Sequence, residues 1–129
     1  MLLALAVGAL AAGCSGNYDL PPVDSGVVDL HEGVPDRVHT ANLSAEQVNA
    51  LADWFSHHRT GWTLSLADTP PGIMVYLKRE GTGVAYANIL GSYIYSADRR
   101  RLLTTQERED LETILVRGSL ALQLDTPPS

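Results

Sequence analysis

Between residues 73 and 96 the chain reads "IMVYLKREGTGVAYANILGSYIYS", three alternating runs with only turn-length links between them. In IMVYLKR, Ile73, Val75 and Leu77 fall on one side while Met74, Tyr76 and Lys78 fall on the other, the period-two pattern of a half-buried strand. EGTG leads into VAYANIL, and GS leads into YIYS. Links this short join antiparallel neighbours, because a parallel return needs a crossover of a dozen or more residues. The pattern therefore predicts an antiparallel meander. Ahead of it WTLSLA alternates Trp62, Leu64 and Leu66 with Thr63 and Ser65 and predicts another strand, and DTPPG predicts a turn.

Two helices flank this block. Ser44 with Gln47, and Thr104 with Glu107, each have the spacing of a capping box, in which two side chains satisfy two orphan backbone donors. After the first, Val48, Leu51, Ala52 and Phe55 recur at helical spacing, with Leu43 and Val48 placed as a hydrophobic staple and Gly61 as a stop. After the second, Leu111, Ile114 and Leu115 make the apolar stripe and Gly118 is the expected stop. Leu43-Ser44 and Leu103-Thr104 each precede a leucine by the same interval, an echo that the physics of capped helices produces without duplication. SLALQL alternates Leu120, Leu122 and Leu124 and predicts a last strand, and DTPPS a tail.

The 129 residues are 45% hydrophobic and 19% charged, which suits one small globular domain. A net charge of −6 repels phosphate backbones at long range and argues against nucleic acid as a partner. A single cysteine excludes an intramolecular disulfide and a cysteine-rich zinc site.

That cysteine, Cys14, follows an apolar run, LLALAVGALAA, of about half the roughly 20 residues that span a bilayer as a helix. The run fits the apolar core of an export signal; the basic residues that usually precede such a core are expected upstream of Met1, the alternative being a weak signal. Ala11, Ala12, Gly13 and Cys14 resemble the lipobox of bacterial lipoproteins, with Ala11 standing where leucine is usual. The resemblance covers residues 1–15 only and is silent about the domain behind it. It implies cleavage before Cys14, a diacylglycerol thioether on Cys14, and an acyl chain on its new amino group. Two or three chains hold a protein to a membrane stably, whereas one does so marginally. Ser15 in place of aspartate implies, by the enteric sorting pattern, the outer membrane facing the periplasm.

The expected organisation is a signal at 1–13, a lipid anchor and flexible acidic tether at 14–40, one domain at 41–124 and a tail at 125–129. Proline, glycine and five acids before Arg37 suit a solvated tether, although SGVVDL has the makings of a short strand. The fold class expected is α+β: an antiparallel meander of four to five strands with two helices packed on one face, in the order helix, three or four strands, helix, strand.

Catalytic motifs are not recognisable. His57 and His58 are adjacent on a helix, so their side chains diverge by about 100° and do not converge on a metal. His57, four residues after Asp53, suits a surface ion pair, and His58 suits the core edge and a last-turn carbonyl. His31, Glu32, Asp36 and His39 are metal-ligand types without a metal-site spacing. The remaining feature is Arg99-Arg100-Arg101 near Tyr93 and Tyr95, which share a strand face; Tyr76 and Tyr86 can extend that face into an aromatic strip. Tyrosine and arginine are the types that anchor protein interfaces. The alternatives are tyrosines packed beneath the helices and arginines on a solvated turn or edge strand. The expected function is a non-enzymatic, membrane-anchored factor without cofactor that binds an envelope protein, as an inhibitor, an immunity-type factor or an accessory subunit. A module binding cell-wall glycan or a small ligand through Trp54, Trp62 or the tyrosines is the alternative, and a hydrolase or metal enzyme using His57 and His58 is a third.

Overall fold

The computed structural model describes residues 16–32, 37–66 and 68–117. Cys14 and its signal, Gly118, the run at Leu120, Leu122 and Leu124, and the tail lie outside the described residues. Seven strands, β1 (Ser25–Glu32), β2 (Arg37–Asn42), β3 (Trp62–Leu64), β4 (Ile73–Arg79), β5 (Thr82–Leu90), β6 (Tyr93–Ser96) and β7 (Arg99–Leu102), form one sheet in the order β2-β1-β4-β5-β6-β7-β3. Every pairing is antiparallel. Helix α1 (Ala45–His57) links the two edge strands, and α2 (Thr105–Glu112) follows β7 and runs into a π-helical turn at Thr113–Arg117. The class is α+β with two helices, and the strand count corrects the expected four to five.

Alternation fixes which face is covered. Val28 opposes Val75, which opposes Ala87, and Ile89, Ile94, Arg101 and Trp62 continue that row across the sheet. Val28, Val75, Leu77, Ala87, Ile89, Ile94 and Trp62 are buried in one cluster with Val48, Leu51, Trp54 and Phe55 of α1 and with Leu111 and Leu115. Each large side chain so buried contributes about 1.5–3 kcal/mol relative to exposure. Both capping boxes are complete: Ser44 and Thr104 accept from the Gln47 and Glu107 amides, and the Gln47 and Glu107 side chains accept from the cap amides. The Gln47 amide group also donates to the Ile114 carbonyl at 2.9 Å, tying the first turn of α1 to the π-helical turn. The β4–β5 hairpin turns through Glu80 and Gly81, both at positive φ (52° and 81°), the requirement of a two-residue turn that follows strand twist.

The expected tether is the main correction. Residues 25–32 and 37–42 form β1 and β2, with Val28 fully buried and Leu30 and Ala41 against the core. Residues 16–24 also pack: Tyr18, Leu20 and Val23 lie against the core, and the Asp24 amide donates to the Lys78 carbonyl. Composition misleads here because the acids alternate with the apolar residues. Asp29 sits on the opposite face from Val28 and accepts from Thr40 across the ladder, while Asp24 accepts from the Glu80 amide at the hairpin turn.

Candidate functional site: the open sheet face

The face away from the helices carries the side chains that alternate with the core. Tyr76 opposes Tyr86 directly, Met74 opposes Asn88, Asn88 opposes Tyr95, and Tyr95 opposes Arg100. Tyr93 lies beside Tyr95 with ring centroids 6.1 Å apart, and the Arg100 guanidinium stands 4.7 Å over the Tyr93 ring, a cation–π contact. Tyr76 and Tyr86 are 42% and 40% exposed, and Tyr93 and Tyr95 are half-buried by their neighbours. The tyrosines therefore share a face, and it is the face away from the helices rather than beneath them.

The three arginines do not act together. Alternation along β7 puts Arg100 among the tyrosines and sends Arg99 and Arg101 to the other side of the sheet. Arg101 donates to the Thr60 carbonyl at 2.8 Å and to Glu107 at 3.0 Å, and its guanidinium lies 5.9 Å from the Trp54 ring. It ties α2 to β7 and leaves the list of surface candidates. Arg99 lies beside Gly16, with Asp98 3.8 Å from its Nε. The strand they occupy lies inside the sheet, between β6 and the three-residue β3, so it is neither a solvated turn nor an edge.

A groove crosses this face. The connection from β3 to β4 passes from one edge of the sheet to its middle and is held by Asn88, a polar side chain only 3% exposed. Its amide donates to the Pro70 carbonyl at 3.1 Å and its carbonyl accepts from the Gly72 amide at 2.8 Å. Gly72 permits this approach, because a β-carbon there would fall on the Ile89 carbonyl oxygen. At the other end the Ser65 amide donates to the Asp98 carbonyl at 2.7 Å. Between connection and strands lies a volume of ≈ 590 Å³ whose walls include Leu66, Asp68, Thr69, Met74, Tyr86, Tyr95 and Asp98. Small-molecule sites fall in this size range. Among the described residues the walls contain two carboxylates and no lysine or arginine. Sequence reading missed Asn88, Asp68 and Asp98 as site residues. The one signal was a buried-strand run, VAYANIL, with an asparagine in its middle.

Trp62 and Trp54 are 0% and 6% exposed and do not offer a stacking platform to a ligand. Trp62 instead stacks on Phe55 at 5.7 Å and donates to the His58 carbonyl at 2.7 Å. His57 faces the Asp53 carbonyl at 2.8 Å and carboxylate at 3.6 Å. His58 stacks on Trp54, with its Nδ1 2.6 Å from the Trp54 carbonyl and its Nε2 3.2 Å from Glu107. The two rings have separate partners and do not converge. His31 and His39 sit on opposite faces of the β1–β2 ladder, since His31 opposes Val38 and Leu30 opposes His39. Among the described residues no three potential ligands gather around one point.

The Glu107 carboxyl stands between the α2 cap, Arg101 and His58. Burial pushes it up, but the Thr104 amide bond, the Arg101 guanidinium and His58 outweigh that and hold it below its ordinary value. It is a structural junction between the α2 cap, β7 and the end of α1.

Among the described residues no helix is long and apolar enough to cross a membrane. The chain matches no protein-family model, no curated protein and no solved structure.

Proposed function

We propose that this chain is a non-enzymatic lipoprotein of the bacterial cell envelope, anchored through lipid on Cys14 in the outer membrane and facing the periplasm. Its open sheet face receives another envelope protein. The observation that carries the binding role is that face: Tyr76, Tyr86, Tyr93 and Tyr95 beside Arg100, with both helices on the other side. Tyrosine supplies large contact area at low entropic cost and arginine adds charge and directed hydrogen bonds, and a patch of them away from the core marks an interface. Inhibition of the partner, immunity to it, or an accessory role in its complex all follow from occupying one surface. The lipobox-like Ala11-Ala12-Gly13-Cys14 carries the anchoring role.

The two roles have separate tests. Cys14→Ser is expected to abolish incorporation of labelled palmitate and leave an unprocessed precursor; undiminished labelling contradicts the anchor. Arg100→Glu and Tyr93→Ala are expected to reduce capture of the envelope partner while the domain keeps a cooperative thermal melt. Unchanged capture by both variants contradicts the binding face.

The groove favours one second reading, a small ligand or cell-wall sugar lying on Tyr86 and Tyr95 with Asp68, Asp98 and Thr69 accepting from its hydroxyls. Co-sedimentation with purified peptidoglycan that is lost on Tyr95→Ala and retained on Arg100→Glu is the expected mark of that reading.

A further inference from the structure

The beginning of the described chain is fixed to the free edge of β3. Gly16 and Trp62 exchange two backbone hydrogen bonds, at 2.7 and 3.1 Å, and the Tyr18 amide donates to the Arg59 carbonyl at 2.8 Å. Side chains secure the same stretch. The Tyr18 ring lies 4.9 Å from Trp62 and 5.9 Å from Phe55, its hydroxyl accepts from Ser96 at 2.8 Å, and Asp19 pairs with Arg59. Cys14 stands two residues before Gly16. Two residues of extended chain reach at most about 7 Å. A lipid on Cys14 therefore enters the bilayer beside β3, without slack for the domain to stand clear.

The surface at that edge suits lipid. Gly16 lies opposite Trp62 and Tyr18 lies back at Arg59, so the described chain begins beside β3 and runs antiparallel to it, with Leu64 on the side away from Tyr18. Leu64 is 57% exposed and Leu66 78%. Arg99, the cross-strand partner of Leu64, holds a guanidinium nitrogen 3.1 Å from where a β-carbon on Gly16 would stand. Exposed leucines enter the headgroup–acyl boundary, and a guanidinium takes lipid phosphate in two hydrogen bonds.

We infer that the β3 edge, with Leu64, Leu66 and Arg99, rests on an anionic bilayer, so that the sheet stands edge-down and presents its tyrosine face sideways. This rests on the anchoring reading above. Six strand spacings of about 4.8 Å separate β3 from β2, which puts β2 on the order of 29 Å from the lipid.

The test uses the full-length acylated protein in vesicles of phosphatidylglycerol and phosphatidylethanolamine. Leu64→Cys, Leu66→Cys and Val38→Cys variants are labelled with an environment-sensitive fluorophore; acylated Cys14 has no thiol, so each engineered cysteine is the labelled one. The expected result is blue-shifted emission at 64 and 66, quenched several-fold more by brominated acyl chains than emission at 38. Arg99→Glu is expected to reduce that quenching. Aqueous emission at 64 and 66, on protein whose mass proves acylation of Cys14, overturns the edge-down placement and leaves the anchor standing. An unmodified Cys14 on protein that fails to float with the vesicles overturns both.

Discussion

Two faces of one sheet are written on the same strands with opposite chemistry. On β4, Val75 and Leu77 are fully buried beneath α1 and α2, while Tyr76 between them is 42% exposed. On β6, Ile94 is buried in the core while Tyr93 and Tyr95 turn outward to Arg100. The covered face is held by packing that tolerates no lost volume, so it specifies the fold. The open face is held more lightly, by the Arg100–Tyr93 contact and a hydrogen bond from the Tyr86 hydroxyl to the Ala97 carbonyl, and it leaves Tyr76 and Tyr86 exposed. Asn88 is the exception, an outward residue that organises its own face by holding the connection between β3 and β4.

The largest break in that contrast is expected at Trp62. It fills the core against Phe55 and Tyr18, and its indole donates to the His58 carbonyl. Trp62→Ala is expected to cost about 3–5 kcal/mol, read as a large fall in the urea midpoint. Tyr93→Ala on the open face gives up the Arg100 and Tyr95 contacts and is expected to cost about 1 kcal/mol. Equal costs at the two positions contradict the division between faces.

A middle effect is expected at Asn88. Asn88→Ala leaves the Gly72 amide without its partner and is expected to cost about 1–3 kcal/mol. Hydrogen exchange at Gly72 is expected to accelerate while exchange at Val75 holds, because the core face does not depend on the connection. Acceleration at both means that Asn88 belongs to the core instead.

The smallest effect is conditional on pH. The folded Glu107 carboxyl lies below its ordinary value, so the stability it adds is fully present above the unfolded carboxylate range. It is lost as the pH falls through the folded value. Glu107→Gln is therefore expected to melt below the wild type at neutral pH and to converge with it in acid. A gap that stays constant from neutral pH into acid contradicts the role of Arg101 and His58 in holding the charge.

Much of the covered face was legible in the sequence. The capping boxes at Ser44 and Thr104 are local, each needing only a residue three positions on, and the alternation in β4, β5 and β6 needs only its own strand. What was not legible depends on partners far along the chain. β1 shows only the short SGVVDL run and β2 carries too few apolar residues to announce itself, and Val28 becomes core only because Val75 lies opposite it. β7 reads as a charge run. It is a strand because Arg100 finds Tyr93 on one side and Arg101 finds Glu107 on the other. The shared face of the tyrosines followed from the period of two, whereas the groove beside them did not. The groove exists because Asn88 captures a connection whose sequence, DTPPG, says only that the chain turns.

Docking of another protein on the tyrosine face is the proposal on which the functional reading turns. Its most direct measurement is photo-crosslinking in living cells, with a photoreactive residue at position 93 on the open face or at exposed position 49 on α1. The expected result is a discrete adduct from position 93 that Arg100→Glu weakens, and none from position 49. An adduct from position 49 with none from position 93 would place the partner on the helices and contradict the account.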